Sequence, residues 1–410
     1  MSSIFSLLRH ERRARVFLAA QAQSSLGTGA GYVALALVAY ERFRSPWALT
    51  LVLLADYLPG ALLAPVMGAL ADRWPRRRCL LIAELARAGA FVSLFFVDSF
   101  AATVALAAVA GVGNALFDPA AMASLPSLVS ERRLPAATSL FGALQEAGCT
   151  VGPLLAAPLL VVIAPSALLL ANGASFAVSG LAIAFLSFGS ARARGVERRS
   201  LLDETRAGIG LVTAPGPIRA LLLSSTAFVV CLGMVNVGEL LLARSFGASD
   251  SQFALLVAAM GAGIVAGMLL AAKGGHPSAL KARYLLGLAV SGVALVASGS
   301  VPDVYTALPA FAAVGIGNGI GLSNQWLLLQ TVVPDGQLGR VFGMSKSLAS
   351  WGMVGAFFAG GALASLLGAR WLFILAGAGA LVAWSLASAA LRGHWTEEPV
   401  AGAVLAPEAA

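Results

Sequence analysis

Charged residues are scarce in this chain. Asp, Glu, Lys and Arg make up 11% of its 410 residues, whereas a soluble globular protein carries about 25%. Hydrophobic residues make up 59%, and the mean hydropathy is +0.86. Because so few polar groups cannot cover a surface in water, the composition excludes a water-soluble single domain. It also excludes low-complexity disorder, in spite of 45 Gly and 18 Pro.

Cysteine and histidine are scarce as well. Cys79, Cys149 and Cys231 lie in or beside apolar runs without the close spacing of metal ligands, and the chain has only three histidines. We therefore expect no disulfide framework, no metal site and no cofactor. The sequence patterns of nucleotide-binding loops, serine hydrolases and zinc peptidases are absent too, which predicts that the chain is not an enzyme.

Long apolar runs fill most of the sequence. A helix needs about 20 mostly apolar residues to cross a bilayer, and none of these runs alternates as a barrel strand would. We therefore predict an all-α polytopic membrane protein with twelve transmembrane helices, the first of them an uncleaved span. Their expected bounds are 16–40, 47–71, 79–97, 101–128, 136–163, 166–188, 217–243, 252–272, 283–300, 304–332, 341–368 and 370–391.

A polar interruption divides these spans six and six. It predicts an N-terminal six-helix bundle at 1–188, a cytoplasmic linker loop at 189–216, a C-terminal six-helix bundle at 217–392 and a short cytoplasmic tail at 393–410. Within the linker, the spacing of leucine and isoleucine at 200–212 favours an amphipathic helix on the membrane surface.

The two halves resemble each other at a constant offset of 204 residues. The segment 111–114 (GVGN) corresponds to 315–318 (GIGN), and Gly148 corresponds to Gly352. Because each half has an even number of spans, the repeat is parallel, about an axis along the membrane normal. Transporters with that symmetry bind their substrate between the halves.

The basic residues predict the orientation in the membrane. If the N-terminus is cytoplasmic, 22 of the 27 Lys and Arg residues lie on the cytoplasmic side and 4 on the other, while Arg87 lies within a span. Cytoplasmic loops are enriched in Lys and Arg. We therefore expect a multi-pass protein of the cell (inner) membrane with both termini in the cytoplasm. The pI of about 10.0 then reflects orientation and not nucleic-acid binding.

The loop after the second span carries a recognisable motif. Gly68, Asp72, Arg73, Arg76 and Arg77 have the spacing G-x-x-x-D-R-x-x-R-R. This resembles the signature that the major facilitator superfamily carries between spans two and three. The resemblance implies the fold of that family and a gating role for these residues, with Gly68 allowing two helices to approach closely.

A second motif lies in the fifth span. Gly148, Gly152 and Pro153 resemble the G-x-x-x-G-P motif of the family's antiporters, in which small residues allow close packing and proline bends the helix. Span four lacks the arginine that many of those antiporters have. Stretches in spans four, five, ten and eleven are similar to the macrolide-efflux and enterobactin-exporter branch, which implies export.

Acidic residues within the spans are candidates for proton coupling, because a charge there is costly unless it is paired or hydrated. Glu146 lies near the middle of span five, and Asp56 and Glu239 lie toward the outer ends of spans two and seven. Glu146 has no basic residue one helical turn away. It is compatible both with a proton carrier and with a hydrogen bond to a neighbouring helix.

Three further charged residues within the spans favour structural pairing. Glu84 and Arg87 are three residues apart on span three, a spacing at which side chains on a helix meet. Asp118, toward the inner end of span four, is expected within reach of Arg73 or Arg76.

The resemblance also implies that spans one, four, seven and ten line a central cavity. The polar and aromatic residues there suit a bulky amphipathic molecule, although any single amide is more typical of a hydrogen bond between helices than of a ligand contact. These candidates are Gln21, Ser25, Thr28, Tyr32, Asn114, Phe117, Asn236, Asn318, Asn324, Gln325 and Trp326.

These features predict a secondary active transporter that exports drug-like, macrolide-like or siderophore-like molecules by proton antiport with alternating access. Its expected partners are a small-molecule substrate, protons and the lipid bilayer; we expect a monomer and no nucleic acid. A nutrient importer or a lysophospholipid flippase of the same fold is the alternative within transport. A membrane sensor is the alternative outside it.

Overall fold

The computed structural model describes residues 2–188, 216–271, 275–333 and 335–395. These residues form thirteen α-helices and one short 3-10 helix, and no strand occurs among them. The predicted amphipathic helix at 200–212 lies outside the described residues.

Twelve of the helices are long and run back and forth through one bundle. A short helix, α1 (Ser2–His10), precedes them. The first half contains α2 (Arg12–Phe43), α3 (Pro46–Arg73), α4 (Arg76–Phe96), α5 (Phe100–Leu128), α6 (Leu134–Leu159) and α7 (Pro165–Ala184). The second half contains α8 (Pro217–Ser245), α9 (Asp250–Ala271), α10 (Pro277–Ser300), α11 (Val304–Val332), α12 (Asp335–Leu367) and α13 (Ala369–Ala390).

Ten of the described helices are long and apolar enough to cross a membrane. The two long helices outside that set are α2 and α6. Polar residues lie in their middle turns: Gln21, Gln23 and Thr28 on α2, and Gln145 and Glu146 on α6. Both pack inside the bundle against each other. The predicted all-α fold is therefore confirmed, and each of the twelve expected spans corresponds to a long helix. Helix α1 was not predicted.

The repeat of 204 residues is visible in the packing. A Cβ atom at Gly111 on α5 would overlap the carbonyl oxygen of Asp56 on α3. The equivalent Gly315 on α11 meets the carbonyl oxygen of Met260 on α9 in the same way. Both pairs are related by an offset of 204. The halves thus share this backbone contact, although an acid in the first half stands where methionine stands in the second.

The buried apolar residues fall into three clusters, and their positions show where the halves meet. We call the end of the bundle where α2 and α8 terminate the Arg244 end, and the opposite one the Arg73 end. At the Arg244 end, a single cluster contains residues of both halves. At the Arg73 end, one cluster belongs to the first half and another to the second. The halves are therefore joined at the Arg244 end and separate at the Arg73 end.

Polar contacts tie the helix termini at the Arg73 end within the first half. Glu11 accepts a 2.8 Å bond from Arg133 and bonds from the backbone and hydroxyl of Ser130. Partial burial alone would raise the pKa of Glu11, but these hydrogen bonds lower it below its ordinary value. Arg77 donates to the carbonyl of Ala184, the last residue of α7, where a cation also complements the helix dipole.

Candidate functional site

A cavity of about 320 Å³ lies between the two halves, below the joined end. Helices of both halves line it, with α2 and α6 on one side and α8 and α9 on the other. The predicted residues that it brings together are Thr28, Tyr32, Asp56, Asn114, Glu146, Asn236 and Glu239. All three proton-coupling candidates therefore face one space.

The three acids differ in their surroundings. Glu239 is 1% exposed and accepts a 2.7 Å hydrogen bond from the Tyr32 hydroxyl through Oε1. Its Oε2 is buried without a hydrogen-bond partner in the described structure, and so is Oδ1 of Asp56. Glu146 is exposed to the cavity. The site thus holds one exposed carboxyl group and two that each have a buried oxygen without a hydrogen-bond partner among the described residues.

Contacts across the halves close the Arg244 end. The hydroxyl of Tyr32 on α2 donates to Glu239 on α8, and Arg244 on α8 lies 3.6 Å from Glu41 on α2. Arg244 also pairs with Asp250 at 2.5 Å. Because partly exposed ion pairs each contribute at most about 1 kcal/mol, the shared apolar cluster supplies most of the closure.

Arg87 is buried behind one wall of the cavity. Its guanidinium lies 4.1 Å from the ring centre of Phe117 and 4.4 Å from that of Phe176. It forms an ion pair of 2.7 Å with Glu84 and donates to Asn114 Oδ1 at 3.3 Å. Because Glu84 and Arg87 neutralise each other, this pair adds no net charge to the cavity that Asn114 and Phe176 line.

The expected contact of Asp118 with Arg73 or Arg76 is wrong. Asp118 accepts a 3.1 Å hydrogen bond from Gln145 on α6 instead. The reason is its depth: Asp118 lies ten residues before the end of α5, about 15 Å from that terminus, whereas Arg73 ends α3 and Arg76 begins α4.

The glycines of the α6 motif bring two backbones into contact. A Cβ at Gly148 would overlap the carbonyl oxygen of Ser25 on α2, and one at Gly152 would lie 2.7 Å from the Cα atom of Gly29. Real Cβ atoms essentially never approach other atoms so closely. Pro153 lies beside Gly29 and also lines the cavity. The motif therefore seals α2 against α6 next to the candidate site.

The motif after α3 makes fewer contacts. No atom of the described residues lies within 4 Å of a Cβ placed at Gly68, so the expected close approach of two helices there is wrong in this conformation. The cause is the separation of the halves at the Arg73 end. Arg73 is exposed, and the side chain of Asp72 lies outside the described structure.

The expected contribution of α11 to the cavity is also wrong. Asn318, Asn324, Gln325 and Trp326 do not line it, and α6 and α9 take that place. Asn324 donates to a carbonyl of its own helix, Gln325 donates to Ser345, and Trp326 is half exposed. In the first half, Gln21 donates to Ser25 within α2, and Phe117 stacks on Arg87. Neither Gln21, Ser25 nor Phe117 lines the cavity.

Several cavity residues were missed by the sequence reasoning. They include two aromatic residues of the first half and small or apolar residues of α6 and α9: Phe91, Phe176, Cys149, Thr150, Met260 and Gly261. The 204-residue repeat could have predicted that Met260 lines the cavity, because Met260 is the equivalent of the candidate Asp56. The aromatic residues had no such signal, because they look like ordinary spanning residues.

Comparison with known proteins agrees with this architecture. The family model of the Major Facilitator Superfamily matches residues 17–354. The uncharacterized MFS-type transporter YfiS of Bacillus subtilis (strain 168) is 26% identical, covering 90% of this chain and 91% of that protein. Macrolide efflux protein A of Streptococcus pyogenes is 23% identical, covering 88% and 91%. A bacterial homolog of the human lysosomal transporter Spinster, solved inward-facing and unoccupied, matches with a TM-score of 0.71 at 14% identity, covering 93% and 97%.

The matched range contains the cavity, the motif after α3 and the contact between α2 and α6. The sequence resemblance to this family, including its macrolide-efflux members, is therefore confirmed. The chain belongs to the Major Facilitator Superfamily and is an integral membrane transporter of small molecules, not an enzyme.

Proposed function

We propose that this transporter exports amphipathic small molecules from the cytoplasm in exchange for protons. The observation that carries the proposal is the cavity between the halves, in which Asp56, Glu146 and Glu239 face one space. Two relatives named for macrolide efflux and multidrug efflux, at 23% and 26% identity, support export.

The shape of the molecule supports alternating access. The halves share one apolar cluster at the Arg244 end and have separate clusters at the Arg73 end. With the Arg73 end in the cytoplasm, as the distribution of basic residues favours, this conformation takes up substrate from inside. The opposite conformation would join the Arg73 end and release substrate outside.

In that opposite conformation, the motif after α3 can join the two halves. Its members Gly68, Asp72, Arg73, Arg76 and Arg77 lie at the end that must close. We propose that they hold the two halves together there and do not bind substrate. The segment 189–216 connects the two halves along the chain.

Transport is tested by accumulation in cells. Radiolabelled erythromycin and ethidium are supplied to a strain without its own major efflux pumps, with and without this protein. We expect the protein to lower accumulation, and a protonophore to abolish the difference. Higher accumulation in cells with the protein indicates import, and an unchanged difference after the protonophore excludes proton exchange.

Glu146 is the acid that we propose to carry the proton. It is exposed to the cavity, and no hydrogen bond or ion pair reaches it from another described residue. We expect Glu146→Gln to abolish efflux against a concentration gradient, because glutamine keeps the shape but binds no proton. Exchange of substrate down its gradient should survive. The measurement compares both modes in proteoliposomes with an imposed proton gradient.

Asp98→Asn is the matched control. It also removes one carboxylate, but from a side chain that is 89% exposed and pairs with Arg42 outside the cavity. We expect both transport modes to be retained. Normal uphill pumping by Glu146→Gln would show that the glutamate is structural.

A further inference from the structure

The cavity between the halves has an unbalanced charge. Its described lining contains Asp56, Glu146 and Glu239 but no Lys, Arg or His. The nearest buried cation, Arg87, touches the lining residues Asn114 and Phe176 from behind, and its charge is matched by Glu84 at 2.7 Å. The cavity therefore presents acids to a ligand without a fixed positive charge of its own.

Within this cavity, Glu239 is the acid that most needs a partner. The residue is 1% exposed, and Tyr32 satisfies only its Oε1. Its Oε2 is buried and accepts no hydrogen bond in the described structure. A buried carboxylate oxygen without a partner is strongly unfavourable in a low-dielectric interior. A proton or a cationic ligand is the partner that would satisfy it.

The rest of the cavity lining suits the apolar body of such a ligand. Tyr32, Phe91 and Phe176 contribute aromatic rings to the lining, and Val257, Met260, Ile264 and Val265 contribute aliphatic side chains. Aromatic faces attract cations, most strongly when both are desolvated. Methionine also adapts its shape to different ligands. A free anion or a sugar phosphate would find no positive partner in the described lining.

We propose that the substrate is an organic monocation with an apolar body, and that its charged group pairs with the carboxylate of Glu239 in the cavity wall. This inference rests on the proposed function, because it names the class of substrate that the same cavity transports. It assigns Glu239 to the substrate, whereas Glu146 is assigned to the proton.

The bond between Tyr32 and Glu239 relates cation binding to the conformational cycle. It joins α2 to α8 across the halves at the closed end. When that end opens, Tyr32 withdraws and both oxygens of Glu239 lose their protein partners. A bound cation satisfies the carboxylate in that state, so the loaded transporter opens outward more readily than the empty one.

The test is equilibrium binding to the purified full-length protein in detergent at fixed pH. The probes are radiolabelled tetraphenylphosphonium and its anionic counterpart of the same shape, tetraphenylborate. We expect saturable binding of the cation at one site, and binding of the anion weaker by at least about tenfold. Because this comparison uses the unmodified protein, it does not depend on any variant folding. Equal binding of the two ions overturns the proposal.

Variants then locate the cation. We expect Glu239→Gln to weaken tetraphenylphosphonium binding by at least about tenfold, because a charged partner is lost. Glu239→Asp, which keeps the charge, should retain part of the affinity, and Asp98→Asn should remain within about twofold because its carboxylate is exposed. Size-exclusion profiles and melting temperatures confirm that each variant is folded. Unchanged affinity in folded Glu239→Gln overturns the assignment.

The outcome is separable from that of the transport assay. Binding needs no proton gradient and has no direction, so a preference for the cation stands even if the protein proves to be an importer. Conversely, if the protein shows gradient-driven efflux but binds both ions equally, the proposed function stands and the proposal of a cationic substrate is wrong.

Discussion

Replacing Arg87 with methionine is expected to lower the free energy of unfolding by about 3–5 kcal/mol, because removing one partner of a buried ion pair leaves the other charge uncompensated. The Glu84 side chain has no exposed surface, and its pair with Arg87 spans 2.7 Å. The substitution also removes a cation held between two phenylalanine rings. Thermal melting and titration with sodium dodecyl sulfate of the purified protein measure the loss.

A second substitution should reverse most of this effect. In the double variant Glu84→Gln/Arg87→Met no charge remains to be compensated, and the introduced glutamine can still bond Ser179, which donates to Glu84 in the native protein at 2.6 Å. We expect the double variant to be more stable than Arg87→Met alone. Arg392→Met is the control, since Arg392 is exposed beyond α13. Native stability of Arg87→Met would contradict the importance of the ion pair.

Replacing Gly148 with leucine is expected to abolish transport and to destabilise the protein by about 3 kcal/mol or more, because inserting bulk into a packed contact forces the backbone apart. A single methyl group at Gly148 already overlaps the carbonyl oxygen of Ser25, and leucine adds three more carbon atoms. Because Gly152 meets Gly29 one turn further along, the whole crossing of α2 and α6 would have to separate. Uptake assays at matched expression and melting temperatures measure the two effects.

Gly142→Leu is the matched control, six residues earlier on the same helix. Within the described part of the chain, nothing lies within 4 Å of a Cβ at Gly142. The same substitution there should change stability by less than about 1 kcal/mol, since it meets open space and replaces glycine by a better helix former. Full transport by Gly148→Leu at native expression would exclude the crossing from the mechanism.

The sequence predicts the helices of this protein well and the cavity only in part. Spanning helices are determined by local hydrophobicity, so the expected bounds of the tenth span, 304–332, agree with those of α11 (Val304–Val332). The similar packing of Gly111 and Gly315 was also predictable from the sequence, because these glycines are at equivalent positions of the two halves.

Which residues line the cavity depends on how the halves are tilted, and no local pattern encodes that tilt. Asn324 and Gln325 were expected in the cavity from the family's general plan. They instead bond within the second half, to the Ile320 carbonyl and to Ser345. The expected contact at Gly68 is wrong for the same reason, since its end of the bundle is the separated one in this conformation.

The contacts made through glycine have a consequence for how the molecule moves. Where Gly148 meets Ser25, or Gly315 meets Met260, main chain touches main chain, and no rotatable group lies between the helices to absorb a displacement. Such crossings resist sliding and bending. The contacts between Tyr32 and Glu239 and between Glu41 and Arg244 run instead through long side chains with several torsions each. A displacement of the halves is therefore easier to accommodate at these two side-chain contacts than at the glycine crossings within each half. Substitutions at the side-chain contacts should alter transport rates, whereas those at the crossings should destabilise the bundle.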